Sequence, residues 1–500
     1  MIKSFLLCPK NIKQVYNRNA MKDIIIIGAG VTGALIAREL SKYNLDVLVL
    51  EKESDVGNVT SSANSAIIHS GYDPKPGTLK AKLNVKGAAL YPALCDELDV
   101  SYSMCGTLTI IDDESQWPIF KELIERSKEN GVEMLSLSKE ELLKLEPNIT
   151  PNALGALYAK KAGIVNPFEL VVNAMENAVD NGVTLHINEG VNDIKAKDNY
   201  FIVKTNKGEY ETKVVINAAG LYSDKIASMV NDIDWHIIPR KGEYILLDHR
   251  TAGLVRRPIF PLPSEKGKGI LVAPTTSGNY YLGPSSEPQE ERDDYSTDSL
   301  TLGNIKANAS RLVPNIPYGD TIRVFAGLRA TPSTHDFIIG PNGKYDNFIN
   351  VAGIESPGLA SSPAIAQYVV HDFVEKVLPL NKKDNFNPHI RKHIKIKLLN
   401  EEERNKLVKE NPDYGRIVCN CEQVSLGELK DVLNRSVPPH SVKGMKRRTR
   451  AGFGRCQGGY CLGTVSLLLA EKYGIELTEV NYDNEGSNLI IEKIKKVNND

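Results

Sequence analysis

Four of the seven cysteines of this chain lie close together near its C-terminal end. Cys419 and Cys421 are separated by one residue, and Cys456 and Cys461 form a second pair in the sequence "GRCQGGYCLG". Four thiolates can hold a [2Fe-2S] cluster, in which each iron would take one of these pairs, or a single structural zinc ion. Zinc sites more often contain two cysteines separated by two residues, so the spacing favours an iron-sulfur cluster and leaves zinc as the alternative.

The segment around the second cysteine pair is rich in glycine and in basic residues. Its glycines would let backbone amides approach the cysteine sulfurs and tune a reduction potential. They are Gly452, Gly454, Gly458 and Gly459. Its basic residues are Lys446, Arg447, Arg448, Arg450 and Arg455. A basic run is usually a solvated face, but beside an anionic cluster it would stabilise the reduced form or guide an acidic electron partner. A nucleic-acid patch is the least expected of these three.

A second set of residues suited to chemistry lies near the other end of the chain. The sequence "DIIIIGAGVTGALIARELSKYNLDVLVLEK" predicts a strand, a glycine-rich turn, a helix and a second strand. Gly28, Gly30 and Gly33 would supply the tight turn, the close approach of backbone to a pyrophosphate and the close packing of helix on strand. Glu51, which ends the second strand, is placed to bind a ribose hydroxyl. Together these elements predict a dinucleotide site.

Later turns distinguish between the two common dinucleotides. Gly220 ends the apolar strand of "KVVINAAGLYSD", and Gly353 and Gly358 precede an apolar helix in "NFINVAGIESPGLASSPAIAQYVV". Three glycine turns so far apart in the sequence suit a long, tightly held FAD better than an exchangeable nicotinamide. Purely structural turns are the alternative for the last two segments.

This pattern resembles the D-amino-acid-oxidase-like superfamily of FAD oxidoreductases over residues 23–375. The segment 60–87, "TSSANSAIIHSGYDPKPGTLKAKLNVKG", is similar to FAD-dependent glycerol-3-phosphate dehydrogenases of the anaerobic type and to L-2-hydroxyglutarate oxidases. The segment 352–366, "AGIESPGLASSPAIA", is closer to the hydroxyglutarate branch. The run 445–461, "MKRRTRAGFGRCQGGYC", resembles the bacterioferritin-associated-ferredoxin-like [2Fe-2S] domain.

The resemblance also implies which residues meet the substrate. Arg329, in "AGLRATPSTHDF", matches the arginine that binds the anionic group of the substrate in this superfamily, and a guanidinium is a planar partner for carboxylate or phosphate. A structural ion pair is the alternative for Arg329. Oxidation of an alcohol by a flavin needs a base for the hydroxyl proton, and His69 is the candidate. A satisfied core histidine is the alternative there.

Composition limits the class of protein. The chain has 500 residues, more than one hydrophobic core usually supports, and 41% of them are hydrophobic and 25% charged, which excludes disordered and fibrous classes. The 61 basic and 62 acidic residues leave a net charge of -1, so no global field favours nucleic acid. No apolar run predicts a membrane-spanning helix or a secretory signal. We therefore expect a cytoplasmic protein. The basic residues of 1–22 would suit an organelle-targeting arm, but Met21 directly precedes the strand "KDIIII", which favours an upstream start or a disordered tail.

These observations predict an α/β chain of several units. The predicted units are an N-terminal extension (1–22), an FAD-dependent oxidoreductase (23–375), a linker (376–415), a [2Fe-2S]-binding domain (416–480) and a tail (481–500). Within the second unit, FAD-binding segments (23–95, 150–235, 325–375) alternate with segments of an antiparallel substrate domain (96–149, 236–324).

The resemblance implies oxidation of a small anionic hydroxy substrate, with sn-glycerol 3-phosphate expected first and L-2-hydroxyglutarate or another 2-hydroxy acid second. Electrons would leave through the [2Fe-2S] cluster to an acceptor protein or a quinone-linked partner subunit, through which the chain could associate with a membrane. A flavoprotein oxidase with a zinc-stabilised interaction module is the third interpretation.

Overall fold

The computed structural model describes residues 20–263 and 269–492. Nearly all of the predicted extension 1–22 lies outside these residues, so both interpretations of it stay predictions. Among the helices of the described ranges, none is both long enough and apolar enough to span a bilayer. The predicted fold class is confirmed, because two large sheets with packed helices are followed by a small C-terminal unit that contains the four cysteines.

The first sheet has eight strands in the described part of the chain, and its centre is parallel. In spatial order the parallel strands are Thr184–His186, Val47–Leu50, Lys22–Ile27, Glu209–Asn217 and Tyr345–Ala352. The antiparallel strands Val191–Ala196, Phe201–Thr205 and Ile338–Asn342 complete it. Ile24 and Ile26 face one core and Ile25 and Ile27 face another. Burial on both faces explains why this strand is apolar throughout.

The second sheet is mainly antiparallel and has nine strands in the described residues. They are Thr107–Ile111, Leu135–Ser138, Gly155–Ala159, Ile237–Leu247, Ile259–Pro261, Leu271–Pro274, Tyr280–Gly283, Glu287–Pro288 and Thr321–Pro332. The long strands Ile237–Leu247 and Thr321–Pro332 pair along their whole length. At Gly327 an added Cβ would lie 2.0 Å from the Ala63 carbonyl oxygen, so this sheet packs directly on the segment that follows the second strand of the first sheet.

Helices cover both sheets and connect them. They are Val31–Leu40, Leu79–Glu97, Trp117–Glu129, Lys139–Leu145, Pro167–Asp180, Ser223–Ala227, Ser299–Leu312 and Gly358–Val369. A small sheet of Ile67–Ile68, Tyr102–Ser103 and Gly163–Val165 lies between the large ones. In the predicted linker 376–415, Ile390 packs in the core of the preceding unit, while the turn Ile396–Leu398 contacts the C-terminal unit. The linker also contains the helix Glu401–Glu410.

The C-terminal unit has its own apolar core. It consists of the hairpin Ile417–Cys419 and Val424–Ser425 and the helices Leu426–Leu433, Val442–Thr449 and Leu462–Tyr473. Two buried ion pairs attach it to the rest of the chain: Arg448 to Asp55 and Arg435 to Glu176, each at 2.7 Å. The division of the chain into domains at the predicted boundaries stays a prediction.

Candidate active site and cysteine cluster

The glycine-rich turn opens onto a cavity of about 390 Å³. Gly28 has a φ of +103°, and an added Cβ would lie 2.5 Å from the Ala218 carbonyl oxygen. At Gly33 an added Cβ would lie 2.0 Å from the Gly28 carbonyl oxygen, which is the close helix-to-strand contact expected there. Gly30 lines the cavity at the start of the helix Val31–Leu40. The first-turn N–H groups of this helix therefore face space that an anionic pyrophosphate would fill.

Glu51 lies at the same end of the sheet, where its carboxylate is buried. One oxygen accepts a hydrogen bond from the Ala29 N–H at 2.7 Å, and the other accepts one from the Glu53 N–H at 2.9 Å. Burial raises the pKa of Glu51, and these two backbone hydrogen bonds oppose the shift. Each carboxylate oxygen keeps a further acceptor position, so a ribose hydroxyl could still donate to it.

Of the three glycines in the later turns, two line the cavity and one does not. Gly220, with a φ of +56°, lines the cavity, and so does Gly358 at the first position of the helix Gly358–Val369. Gly353 has a φ of +67° but does not line the cavity. An added Cβ at Gly353 would lie 2.6 Å from Pro332 Cβ, so the structure gives this glycine a packing role.

His69 and Arg329 line the same cavity, beyond its glycine-rich end. His69 directly follows the short strand Ile67–Ile68, and its ring lies tilted against Phe260, with the centroids 5.9 Å apart. The His69 carbonyl oxygen accepts a hydrogen bond from Asn84 at 2.6 Å, which fixes the backbone that carries the imidazole. A base on this wall would be held in position before a substrate arrives.

Arg329 lies on the strand Thr321–Pro332, opposite Arg240 of the neighbouring strand. Its guanidinium donates to the Ser285 carbonyl oxygen at 3.0 Å and to the Ser286 hydroxyl at 3.4 Å. Within the described residues, no carboxylate lies within 4.0 Å of it to form an ion pair. The positive charge of Arg329 is therefore available for an anion in the cavity.

The four cysteines of the C-terminal unit lie in two pairs. Cys421 Sγ is 3.5 Å from Cys456 Sγ, and the Cys461 thiol donates to Cys419. The thiols thus pair across the two sequence motifs, and the assignment of one motif to each iron stays a prediction. The thiols pair in this way because Cys419 ends a strand and Cys421 lies in the following turn, so each faces a different part of the later segment.

This geometry bears on the choice between zinc and iron. Among the described residues, no group of three His, Cys, Asp or Glu side chains converges as ligands of one metal ion. A structural zinc ion needs four ligands around one point, whereas each iron of a [2Fe-2S] cluster takes only two cysteines. The two pairs of thiols provide the two cysteines that each iron of a [2Fe-2S] cluster takes.

The surroundings favour the thiolate form of one cysteine in each pair, Cys419 and Cys456, and raise the pKa of the other, Cys461 and Cys421. The hydrogen bond from Cys461 lowers the pKa of Cys419 to about 6, and the Gly452 N–H also donates to Cys419. The N–H groups of Gly458, Gly459 and Tyr460 donate to Cys456. These amides agree with the prediction that glycines let the backbone approach the sulfurs, which stabilises negative charge on them.

The basic run before the cysteines is largely buried. Arg448 is bonded to Asp55 through two N–H groups, at 2.7 and 2.8 Å, and Arg447 donates to Asn58. Arg450 donates to Glu422 at 2.7 Å. The expected solvated face is thus mostly an internal contact between the C-terminal unit and the residues that follow the second strand of the first sheet.

Comparison with known proteins places the chain in a family. The model of the FAD dependent oxidoreductase family matches residues 23–371, which is most of the chain. The chain belongs to the FAD dependent oxidoreductase family. A second model, the BFD-like [2Fe-2S] binding domain, matches residues 417–471, which contain all four clustered cysteines.

Individual relatives agree with this family. The chain is 48% identical over 471 residues to a glycerol 3-phosphate dehydrogenase of Caloramator mitchellensis, covering 94% of this chain and 98% of that protein. It is 29% identical to the human mitochondrial L-2-hydroxyglutarate dehydrogenase, covering 71% of this chain and 89% of that protein. The solved L-alpha-glycerophosphate oxidase of Mycoplasma pneumoniae with FAD bound has a TM-score of 0.71 and 29% identity, covering 74% of this chain and 98% of that one.

The predicted cofactors of this FAD dependent oxidoreductase, FAD and a [2Fe-2S] cluster, are confirmed by these matches. Most of the predicted site residues meet in the one cavity; they are Gly28, Gly30, Glu51, His69, Gly220, Arg329 and Gly358. Gly33 and Gly353 lie outside its lining and act through packing. The individual roles of all these residues stay predictions.

Two polar residues of the cavity were not singled out from the sequence. Ser65 and Tyr244 both line it, with their hydroxyl oxygens 3.2 Å apart. A third hydroxyl, that of Ser61, accepts a hydrogen bond from the Val31 N–H at 2.9 Å and so caps the first helix. Ser61 and Ser65 lie in the segment 60–87 that carries the family resemblance, which is the signal that could have identified them. Nothing local marks Tyr244.

Proposed function

We propose that this FAD dependent oxidoreductase oxidises sn-glycerol 3-phosphate to dihydroxyacetone phosphate. The observation that carries the proposal is Arg329, which has no ion-pair partner among the described residues and lies on the wall of the cavity that also holds His69 and the glycine-rich turn. A guanidinium with free donors suits a phosphate group. The glycerol 3-phosphate dehydrogenase that matches nearly the whole chain supports this substrate.

In the proposed reaction, Arg329 holds the phosphate and His69 takes the hydroxyl proton. The bound FAD supplies the hydride acceptor for the carbon that becomes a ketone. The imidazole is suited to its task because its ordinary pKa is close to neutral. Phe260 and the fixed His69 backbone hold the ring on the cavity wall, which reduces the orientation cost of proton transfer.

L-2-hydroxyglutarate is the second candidate substrate. The similarity to an L-2-hydroxyglutarate dehydrogenase and the segment 352–366 favour it. A carboxylate would suit Arg329 as well as a phosphate does, so the guanidinium alone does not choose between the two acids.

We propose that electrons leave through the [2Fe-2S] cluster to a separate acceptor, either a protein or a quinone-linked partner subunit. The glycerophosphate oxidase structure covers 74% of this chain, whereas the dehydrogenase relative covers 94% of it. The dehydrogenase relative therefore also matches the C-terminal unit. This supports a route for electrons from the flavin through that unit, which an oxidase that passes electrons directly to oxygen does not need. Cys421 and Cys456 are only half-buried, which would let a partner approach that pair.

A substrate panel with an artificial dye as acceptor tests the proposed substrate. We expect the highest kcat/KM with sn-glycerol 3-phosphate, a lower value with L-2-hydroxyglutarate, and none with glycerol, which has no anionic group. A higher kcat/KM with L-2-hydroxyglutarate would contradict the proposal and favour the second candidate.

Variants test the two residues separately by rapid mixing, with flavin bleaching recorded against substrate concentration. Arg329→Ala should reduce catalytic efficiency by about 30-fold to several thousand-fold, which corresponds to ~2–5 kcal/mol for an unpaired buried anion. Arg240→Ala is the matched control, since Arg240 lies on the neighbouring strand but does not line the cavity. His69→Ala should slow bleaching by ~10²–10⁴ with little change in affinity, as expected of a base. Equal effects of Arg329→Ala and Arg240→Ala would show that Arg329 does not bind the anionic group of the substrate.

A further inference from the structure

A second cavity, of about 660 Å³, lies where three parts of the chain meet. One wall is the segment Asn58–Ala66, which also lines the FAD cavity. A second wall is the strand Thr321–Pro332, and the third is the helix Val442–Thr449 with the loop that follows it. The cavity therefore adjoins the FAD site on the side of the C-terminal unit.

The lining of this cavity carries positive charges without counterions. Arg323, Lys446 and Arg447 line it, and within the described ranges no carboxylate lies within 4.0 Å of any of them. Lys446 and Arg447 are each only 5% exposed, and the buried Nη1 of Arg447 has no hydrogen-bond partner in the part of the chain that the structure describes. The other cations of the lining are each in an ion pair with a carboxylate.

Lys446 lies over the ring of Phe453, 4.5 Å from its centroid, and Arg447 donates to Asn58, but neither contact neutralises the charge. Buried cations without a carboxylate partner are costly, because they have lost their hydration and repel one another. Burial, and then the charge of Arg323, lowers the pKa of Lys446 to about 7. The nearby Cys461 offsets part of the charge of Lys446. A bound anionic cluster would therefore also stabilise the charged form of Lys446. The charges of Asp55, Asp483 and Glu53 offset part of the charge of Arg447 from a longer distance, but burial still lowers its pKa. An anion in the cavity would offset all three charges.

Aromatic side chains line the rest of the cavity. The rings of Phe168 and Phe453 have their centroids 5.6 Å apart, and Tyr281, Tyr295 and Phe325 also face the space. Phe453 belongs to the C-terminal unit, and Phe168 belongs to the helix Pro167–Asp180. The volume is within the range of sites for small molecules. Flat apolar faces beside a group of cations suit a ligand with both a ring and a phosphate.

We propose that this cavity binds a phosphorylated aromatic ligand of the nucleotide class, with its phosphate at Arg323, Lys446 and Arg447 and its ring beside Phe168 and Phe453. The site adjoins the FAD cavity along the segment Asn58–Ala66, and it does not depend on which hydroxy acid the flavin oxidises. Because its walls come from both the oxidoreductase unit and the C-terminal unit, the ligand would also link these units.

Equilibrium dialysis of the full, FAD-loaded protein tests the site, with FMN and ADP as separate probes. We expect at least one of the two to bind saturably at about one per chain. Riboflavin and adenosine, which lack phosphate, and inorganic pyrophosphate, which lacks a ring, should bind at least tenfold more weakly. FAD content is measured throughout, so that a probe that only displaces FAD is recognised.

Protein that already carries its ligand would release, on heating, a nucleotide other than FAD at about one per chain, and this result would also support the proposal. If no such nucleotide is released and neither probe binds without displacing FAD, the proposal is wrong.

Three variants connect the binding to the cavity. Lys446→Gln and Arg323→Gln should each weaken binding of the probe by about tenfold or more, while Lys472→Gln should not, because Lys472 is exposed on the helix Leu462–Tyr473. Arg323 is only partly buried, so its substitution should be tolerated even if Lys446→Gln fails to fold. Unchanged affinity in Arg323→Gln would overturn the proposal. Loss of iron with unchanged affinity would assign these cations to the cluster instead.

Discussion

Replacement of Arg448 by methionine tests how the C-terminal unit is held to the oxidoreductase unit. Arg448 and Asp55 are 1% and 2% exposed, and the guanidinium donates two hydrogen bonds to the carboxylate. Burial alone would raise the pKa of Asp55, but the charge and hydrogen bonds of Arg448, the charge of Arg447 and the Val56 N–H together outweigh burial, and the pKa is lowered. In Arg448→Met, the carboxylate keeps the Val56 N–H but loses its ion-pair partner.

The expected cost follows from this geometry. Removal of one partner of a buried ion pair costs about 3–5 kcal/mol, because the remaining charge stays buried without compensation. Each 1.36 kcal/mol corresponds to a factor of about ten, so the equilibrium for local opening should rise by roughly a hundredfold to several thousand-fold. Hydrogen exchange of the amides in the helix Val442–Thr449 measures this opening directly.

Two comparisons make the result specific. The double variant Asp55→Leu with Arg448→Met removes both charges, so its exchange should be much closer to that of the wild type than exchange in the single variant. Amides of the strand Lys22–Ile27 should exchange as before, since the pair does not stabilise that sheet. If Arg448→Met changes exchange in the helix by less than about threefold, the ion pair does not hold the two units together.

Three further predictions concern the cofactors and acid stability. Cys421→Ser or Cys456→Ser should remove the iron signal and leave FAD bound and reducible by substrate; retained iron in both variants would contradict the ligand assignment. Gly30→Val should abolish FAD binding, because the branched side chain would take the space of the pyrophosphate. The protein should still fold, since the nearest atom to an added Cβ is Ser61 Oγ at 3.3 Å. Full flavin content in Gly30→Val would contradict the assignment of Gly30 to the FAD site. Burial lowers the pKa of His393 to about 3, so the unfolded chain binds a proton below about pH 6.5 that the folded chain does not, and stability is full above that pH and falls as pH decreases. From pH 7.5 to 5, urea denaturation should show a loss of about 2 kcal/mol that is absent in His393→Gln; equal losses would exclude His393 as the cause.

The elements that depend only on local sequence were predictable. The strand, turn and helix around Gly28 and Gly33 follow from hydrophobic periodicity and from glycine at positions that no side chain could occupy. The CxC and CxxxxC motifs indicated a metal centre because four thiolates within one small unit have few other uses. Chemistry carried by residues within one short segment can therefore be recognised before the fold is known.

Tertiary structure decided how distant segments meet. Cys421 pairs with Cys456 because a hairpin and a later loop pack together, and no spacing rule specifies that pairing. Gly353 looked like a third FAD turn, yet its neighbour in space is Pro332. Each of these relations depends on which surfaces become buried together, which a one-dimensional pattern does not contain.

The basic run shows the difference most clearly. In the sequence, Arg447 and Arg448 are two adjacent positive charges in a segment that would usually be solvated. In the structure, Arg448 is neutralised by Asp55, almost four hundred residues earlier, while Arg447 lines a cavity without a carboxylate partner in the described chain. The sequence by itself determined the charges, the glycines and the thiols, because these are properties of single residues. Only the fold decided which charge is paired and which is left for a ligand, because pairing depends on distances that tertiary packing sets.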